Sequence, residues 1–252
     1  MARGEGGYIG KQPTWVPGAN PALSGAWTIQ EAYDRSKNSE WGFVQTLPSI
    51  GDAYEGGFFA GLISHTANGV ATHGLIVAPR ATGATGSPYP LTDYKQWKTS
   101  NTSTAGTSSD FNGSANSANM NDASHPAAQF CENLSIGGYS DWYLPARYEL
   151  DIAYENLKPD TTSNNTSWGI NAYAVPARAS NRTAGAPART SLAAFQTGGA
   201  EAFVADYHWS STEDSATNAW ELFFNDGTQS SLNKNGSLFG FTFVRAFRKF
   251  AL

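Results

Sequence analysis

Cysteine is almost absent from this sequence. Cys131 is its one cysteine, so a disulfide within the chain is impossible. Charged residues are also scarce, at 15% of 252 residues, where soluble domains average about 25%. No apolar run approaches the roughly 18 residues that span a membrane, and the start, MARGEGGYIG, has no apolar segment. We therefore predict a chain without a cleaved secretion signal and without membrane insertion.

Signatures of nucleic-acid and metal chemistry are missing as well. The net charge of −5 comes without a basic stripe, which predicts no nucleic-acid partner. The four histidines, His65, His73, His125 and His208, form neither an H-x3-H pair nor an HExxH motif. Cys131 falls on the apolar face of a predicted helix, which indicates a buried structural thiol. We predict no metal, no cofactor and no catalytic residue.

Aromatic and small polar residues take the place of charge. Aromatics make up 13% of the chain and include eight tryptophans, and each buried Trp or Phe removes about 150–250 Å² from water. This composition predicts one large domain with an aromatic core and long polar loops. We predict that residues 1–45 form an extended Gly/Pro-rich arm and a short helix, and that residues 46–252 form the main domain.

Apolar periodicity predicts the elements of the main domain. Strands at residues 58–63 and 75–77 form a hairpin, and helices follow at residues 126–134 and 146–157. Short aromatic strands occur in YHWSST and NAWELFF, before an Asn-Asp-Gly turn and a terminal strand in FGFTFVRAFR. Insertions rich in Gly, Ser, Thr, Asn or Ala, at residues 80–122 and 158–200, separate these elements, and Trp97 anchors the first one.

Four of these segments carry a family resemblance. GGYSDWYLP at residues 137–145, HWSST, NAW and FVRAFR resemble the C-type-lectin-like domains that end many bacterial and phage adhesins, the Lcl C-terminal family, akin to the formylglycine-generating-enzyme-like lectin fold. The resemblance covers about residues 55–252. It implies an α+β, C-type-lectin-like domain with two helices, small antiparallel sheets and long loop insertions.

The N-terminal segment SGAWTIQEAY has two interpretations. It is either a small helix that packs on the main domain, or a virion-docking segment, because it resembles segments of tailed-phage structural proteins. The second interpretation predicts contacts with other virion proteins through the following residues: Trp15, Trp27, Ile29, Tyr33 and Trp41.

The resemblance implies a non-enzymatic protein on the tail or capsid exterior of a phage virion. We expect a tail-fibre or tail-tip adhesin that binds a host-surface glycan or protein, assembled as a homo-oligomer such as a trimer. The polar segment at residues 228–238 is predicted to be an exposed receptor-facing loop. The predicted receptor-binding residues are Glu213, Asp214, Asn218, Thr228, Gln229, Ser230, Ser231, Leu232, Asn233, Lys234 and Asn235.

Alternatives remain open at each level. The whole protein could instead be a capsid-decoration protein or a tail or baseplate adaptor. Asn225-Asp226-Gly227 occupies the place of a lectin calcium strand, but no Glu-Pro-Asn partner occurs, which favours an ordinary hairpin turn. Three tryptophans could form a sugar platform but fall in the motifs that predict core: Trp142, Trp209 and Trp220. Arg245 and Arg248 are predicted to satisfy buried carboxylates or carbonyls.

Overall fold

The structure is a computed structural model that describes residues 47–86, 94–236 and 242–252. The chain divides into two units, residues 1–47 and 48–252, and the described helices and strands belong to the second. The predicted virion-attachment residues lie outside the described residues: Trp15, Trp27, Ile29, Tyr33 and Trp41.

The predicted hairpin is present and belongs to a five-stranded sheet. Strands β1 (Ala53–Tyr54), β2 (Gly57–Ile63) and β3 (His73–Val77) pair in antiparallel succession. Strand β4 (Ala174–Val175) pairs with β2, and the strand nearest the C-terminus, β8 (Phe247–Ala251), pairs with β3. The sheet therefore joins the first and last strands of the described domain.

Four α-helices occur in the described residues. The helices α3 (Pro126–Glu132) and α4 (Arg147–Leu157) confirm the two that apolar periodicity predicts. The helices α1 (Arg80–Gly83) and α2 (Gly113–Ala118) lie in a region that we predicted to be without elements, and they correct that prediction. Periodicity missed α2 because its buried residues include Asn116 and Ser117, which leave it without an apolar stripe. The Asn112 side chain caps its N-terminus.

A second, three-stranded sheet contains β5 (Tyr207–Glu213), β6 (Asn218–Phe223) and β7 (Gln229–Asn233). The turn between β6 and β7 contains Gly227 at φ +77°, as the Asn-Asp-Gly pattern predicts. Strand β7 corrects the predicted loop at residues 228–238, because its backbone pairs with β6 over its whole length. Residues 237 and 238 lie outside the described part of the chain.

The predicted terminal strand begins later than its aromatic pattern indicates. The backbone of residues 242–246 forms hydrogen bonds first with β5 and then with α1. Phe243 N donates to Tyr207 O (2.8 Å), and Ala246 N donates to Gly83 O (2.9 Å). Only from Phe247 does the backbone pair continuously with β3. The segment thus crosses from the small sheet to the large one, which interrupts a regular ladder.

One apolar core connects both sheets through α4. It includes Leu150 and Leu157 of α4, Leu75 of β3, and Leu222 of β6, all of them buried. The amphipathic pattern of α4 therefore packs against strands from both ends of the domain. Mixed helices and antiparallel strands confirm the α+β class. Within the described residues, no helix combines the length and apolar character of a membrane span.

Candidate functional site

The face of the small sheet that carries Glu221 holds a cavity of about 340 Å³. Side chains alternate between the two faces of a strand, and Leu222 of β6 points into the core. Its neighbour Glu221 therefore lies on the opposite face, in register with Trp209 of β5 and Ser230 of β7. Seven of the described residues line the cavity: Asp206, Tyr207, Glu221, Ser230, Ser231, Leu232 and Thr242.

Glu221 is the most buried acid of this cavity, with 4% of its surface exposed. Ser230 Oγ donates to one carboxylate oxygen (2.9 Å) and Thr242 Oγ1 donates to the other (3.1 Å). Burial raises the pKa of Glu221 to about 7, the two hydroxyl groups oppose this, and the charge of Asp206 adds to it. Among the described residues, no lysine, arginine or histidine forms an ion pair with Glu221.

Asp206 and Tyr207 form another part of the lining. The Asp206 carboxylate accepts a hydrogen bond from the Tyr207 backbone N–H (2.8 Å), and burial raises the pKa of Asp206. The Tyr207 ring stacks on Phe223, with 4.4 Å between the ring centroids. On the face that carries Glu221, the lining therefore combines two carboxyl groups, three hydroxyl groups and one aliphatic side chain, Leu232.

Three of the predicted receptor-binding residues line this cavity: Ser230, Ser231 and Leu232. Three others, Glu213, Gln229 and Lys234, have buried structural partners, so the prediction of an exposed surface is wrong for them. Lys234 Nζ, with no exposed side-chain surface, donates to Glu213 Oε1 (2.6 Å). Gln229 is 2% exposed and lies between Arg147 and Asp151, hydrogen-bonded to both. Long-range partners bury these polar side chains.

The remaining predicted residues lie around the small sheet but not in the cavity lining. Asp214 is exposed, and Asn218 pairs in register with Asn233 at one end of the β6–β7 ladder. Thr228 Oγ1 accepts a hydrogen bond from Asn165 Nδ2 (2.8 Å), and the Asn235 backbone N–H donates to Asn101 (3.3 Å). Their predicted role in receptor binding stays a prediction.

The tryptophans do not form an open stacking platform. Trp142 and Trp209 are buried, as the core interpretation predicts. Trp220 is half-buried, and the Arg147 guanidinium lies 3.7 Å from the centroid of its ring. Since that cation covers one face of the indole, the face is not free to stack on a sugar.

The thiol and the histidine pair lie elsewhere in the domain. Cys131 is fully buried, and this burial raises its pKa well above the ordinary value. His65 and His73 face each other across the β2–β3 hairpin, with ring centroids 4.3 Å apart. Burial lowers the pKa of His65 to about 4 and also lowers that of His73. The described residues contain no group of three or more His, Cys, Asp or Glu arranged to hold a metal.

A hydrogen-bonded series of side chains connects Asp122, His125 and Thr104. His125 Nδ1 lies 3.0 Å from Asp122 Oδ1, and its Nε2 lies 2.9 Å from Thr104 Oγ1. This order resembles a hydrolytic triad, but Thr104 is only 9% exposed and Lys98 Nζ also donates to its hydroxyl (2.9 Å). These contacts fasten the loop around Thr104 to the helix that begins after His125.

The sequence contained one usable sign of the cavity that our prediction missed. Glu221 is a lone carboxylate inside the aromatic segment NAWELFF, and an acid in such a strand needs a polar partner or a function. Asp206 and Thr242 carry no comparable local signal. No model of a known protein family matches this chain, and a search of curated proteins finds no match to it.

Proposed function

We propose that this chain is a non-enzymatic adhesin of a tailed-phage virion, whose lectin-like domain binds a receptor on the host surface. The observation that carries the proposal is the cavity on the small sheet, because Ser230, Ser231 and Leu232 of the predicted receptor-binding segment line it. Its volume of about 340 Å³ falls in the range of small-ligand sites, roughly 300–1,000 Å³.

The architecture supports the lectin-like part of the proposal. The motif GGYSDWYLP contributes Trp142 to the core and ends where α4 begins. The motif FVRAFR supplies Arg245, which donates to Ala78 O (2.6 Å) and pairs with Glu201 (2.8 Å). Its second arginine, Arg248, pairs with Glu55 (2.6 Å) and with Asp141. Both arginines thus have the structural partners that the sequence predicts.

The chemistry of the cavity favours binding over catalysis. Thiol chemistry of the formylglycine-generating type needs a reactive thiolate, and Cys131 is buried with a raised pKa. Hydroxyl groups and a leucine around a carboxyl group suit recognition of a polar ligand.

Adsorption competition tests the proposal. Purified, assembled protein is titrated against adsorption of the phage to its host cells, and we expect dose-dependent blocking. Ser230→Ala and Leu232→Ala should weaken blocking by about tenfold, the loss of roughly 1.4 kcal/mol of binding free energy. Ser140→Ala, at an exposed serine of GGYSDWYLP, is the matched control. Folded protein that fails to block adsorption would favour the structural alternative, an adaptor that binds other virion proteins.

A further inference from the structure

The cavity on the small sheet is rich in hydrogen-bond acceptors, and its described lining residues carry no positive charge. Its lining residues include two carboxyl groups and no lysine, arginine or histidine. Elsewhere in the described domain, two buried acids have cationic partners, since Arg182 pairs with Asp151 and Lys234 pairs with Glu213, while the buried Glu149 accepts hydrogen bonds from the Tyr143 hydroxyl group (3.1 Å) and the Ala146 backbone N–H (2.8 Å). Glu221 instead has only the hydroxyl groups of Ser230 and Thr242 as hydrogen-bonding partners among the described residues.

The charge of a buried carboxylate is destabilised when no cation lies beside it. Ionising it costs free energy in a medium of low dielectric constant, and an opposite charge at contact distance offsets that cost. Both oxygens of Glu221 already accept hydrogen bonds, which fixes the carboxyl group in position. A cationic ligand that enters the cavity would meet the charges of Glu221 and Asp206 together, whereas an anionic ligand would be repelled.

The other lining groups indicate what carries the cation. Ser230, Thr242 and Tyr207 each bring a hydroxyl group to the face that carries Glu221, and Leu232 is the one aliphatic side chain. The Ser230 and Thr242 hydroxyl groups donate to Glu221 and keep acceptor capacity, and the Tyr207 hydroxyl group can donate and accept. The hydroxyl groups of a sugar can use these sites, whereas the aliphatic stem of a lysine cannot. A cavity of about 340 Å³ accommodates one sugar unit.

We propose that this cavity is a subsite for an amino sugar with a free primary ammonium group, which pairs with Glu221 while the surrounding hydroxyl groups bind the sugar ring. The proposal rests on the assignment of the cavity as a ligand site in the proposed function, and it names the ligand class. It predicts that the host receptor is a glycan containing de-N-acetylated amino sugars.

Calorimetry with glucosamine tests the proposal. At about pH 6 the amine is charged, since alkyl and α-amino groups titrate at roughly 8 or above, while most of Glu221 is protonated, because burial raises its pKa to about 7. Ion pairing must then displace the carboxyl proton. Titrations in buffers of different ionisation enthalpy should therefore show saturable binding with release of close to one proton per site.

Four comparisons make the result specific. We expect N-acetylglucosamine, which lacks the charge, to bind at least about tenfold more weakly than glucosamine. Glu221→Gln should abolish the proton release and weaken glucosamine binding at least about tenfold, a loss of roughly 1.4 kcal/mol. Leu232→Trp retains the carboxyl group but fills the cavity, so it should also abolish binding if Glu221→Gln does not fold. Glu132→Gln, at the end of α3, is the charge-matched control and should bind normally.

Several outcomes would overturn the proposal. Equal binding of N-acetylglucosamine would show that the ammonium group is not recognised, and tighter binding of Nα-acetyl-lysine amide would assign the site to a protein receptor. Calcium that binds at Glu221 and excludes glucosamine would make it a metal site. Blocking of phage adsorption by Glu221→Gln at wild-type strength would reject this subsite and leave the adhesin function intact. Glucosamine binding without blocking would reject the adhesin function instead.

Discussion

Buried lysine ammonium groups fasten several of the long loops to the domain. Lys98 Nζ donates to Ser103 O (2.8 Å), Lys158 Nζ donates to Asn164 Oδ1 (2.7 Å), and Lys234 Nζ donates to Ala216 O (3.0 Å). Each ammonium group has three donors, so one side chain can satisfy loop carbonyls that no strand or helix reaches. Polar loops without a disulfide are ordered in this way around an aromatic core.

Lys234→Met should destabilise the domain strongly. The substitution keeps most of the side-chain volume but leaves the Glu213 carboxylate without its cation, and breaking a buried ion pair on one side costs about 3–5 kcal/mol. Urea unfolding measures this loss, and the Lys234→Met/Glu213→Gln double variant should recover part of it. Asp214→Asn, at the exposed neighbour of Glu213, should change stability by no more than about 0.5 kcal/mol. A similarly small effect of Lys234→Met would contradict the structural role of the pair.

Cys131 should be unreactive in the folded protein. The thiolate is the reactive form, and full burial both raises the thiol pKa and excludes reagents. We expect no labelling by a small disulfide reagent at neutral pH over hours, and stoichiometric labelling after denaturation. Rapid labelling of the folded chain would revive thiol chemistry as a possible activity.

Among the elements, the β6–β7 hairpin positions half of the cavity lining, and its turn depends on Gly227. A Cβ at this position would come within 2.6 Å of the Tyr154 ring, in addition to the cost of φ +77° for a side chain. Gly236, at φ +65°, provides a matched control, because a Cβ there meets nothing within 4 Å.

Gly227→Ala should therefore cost more stability than Gly236→Ala. The positive φ alone costs roughly 1–2 kcal/mol, and the contact with Tyr154 should add at least about 1 kcal/mol. Denaturant midpoints of the two variants measure the difference. Equal losses would contradict the expected clash between the new side chain and the Tyr154 ring.

Elements with a local signal could be predicted, and those defined by distant partners could not. The apolar alternation around Ile63 and the repeat through Leu150 identified the hairpin and α4 within a few residues. Strand β7 reads Gln-Ser-Ser-Leu-Asn, which lacks a β pattern, and only its pairing with β6 makes it a strand. The cavity was half predictable, because Ser230 and Leu232 are near in sequence to each other whereas Asp206 and Thr242 are not.

At the scale of the whole molecule, two sets of buried groups have opposite effects on stability as the pH changes. Burial lowers the pKa of His65 to about 4 and of His208 to about 3, so stability falls as the pH drops below the unfolded value of 6.5. Burial raises the pKa of Glu149 and Glu221 to about 7, so stability falls as the pH rises from 4.5 through 7. Between about pH 4.5 and 6.5 the two effects oppose each other, so we expect a plateau in the free energy of unfolding, with losses on both sides. Urea unfolding across the pH range measures this curve.

Glu221→Gln should change the shape of that curve and not merely its height. In the wild type, the native state binds more protons than the unfolded state between pH 4.5, the ordinary value, and about 7. This difference makes ionisation of Glu221 cost about 3 kcal/mol by pH 8, at 1.36 kcal/mol per pKa unit. The glutamine removes this cost, so the stability of the variant relative to the wild type should rise by about that amount from pH 4.5 to 8.

The lost hydrogen bonds of the variant contribute a constant offset, which the slope of the difference excludes. Glu132→Gln, whose carboxyl group lies outside the cavity lining, controls for the change in net charge. Glucosamine at a saturating concentration should reduce the alkaline loss in the wild type, because the bound ammonium group compensates the charge of Glu221. Parallel curves for the Glu221→Gln variant and the wild type would show that Glu221 has its ordinary pKa in the folded protein. They would also show that water already reaches its carboxyl group.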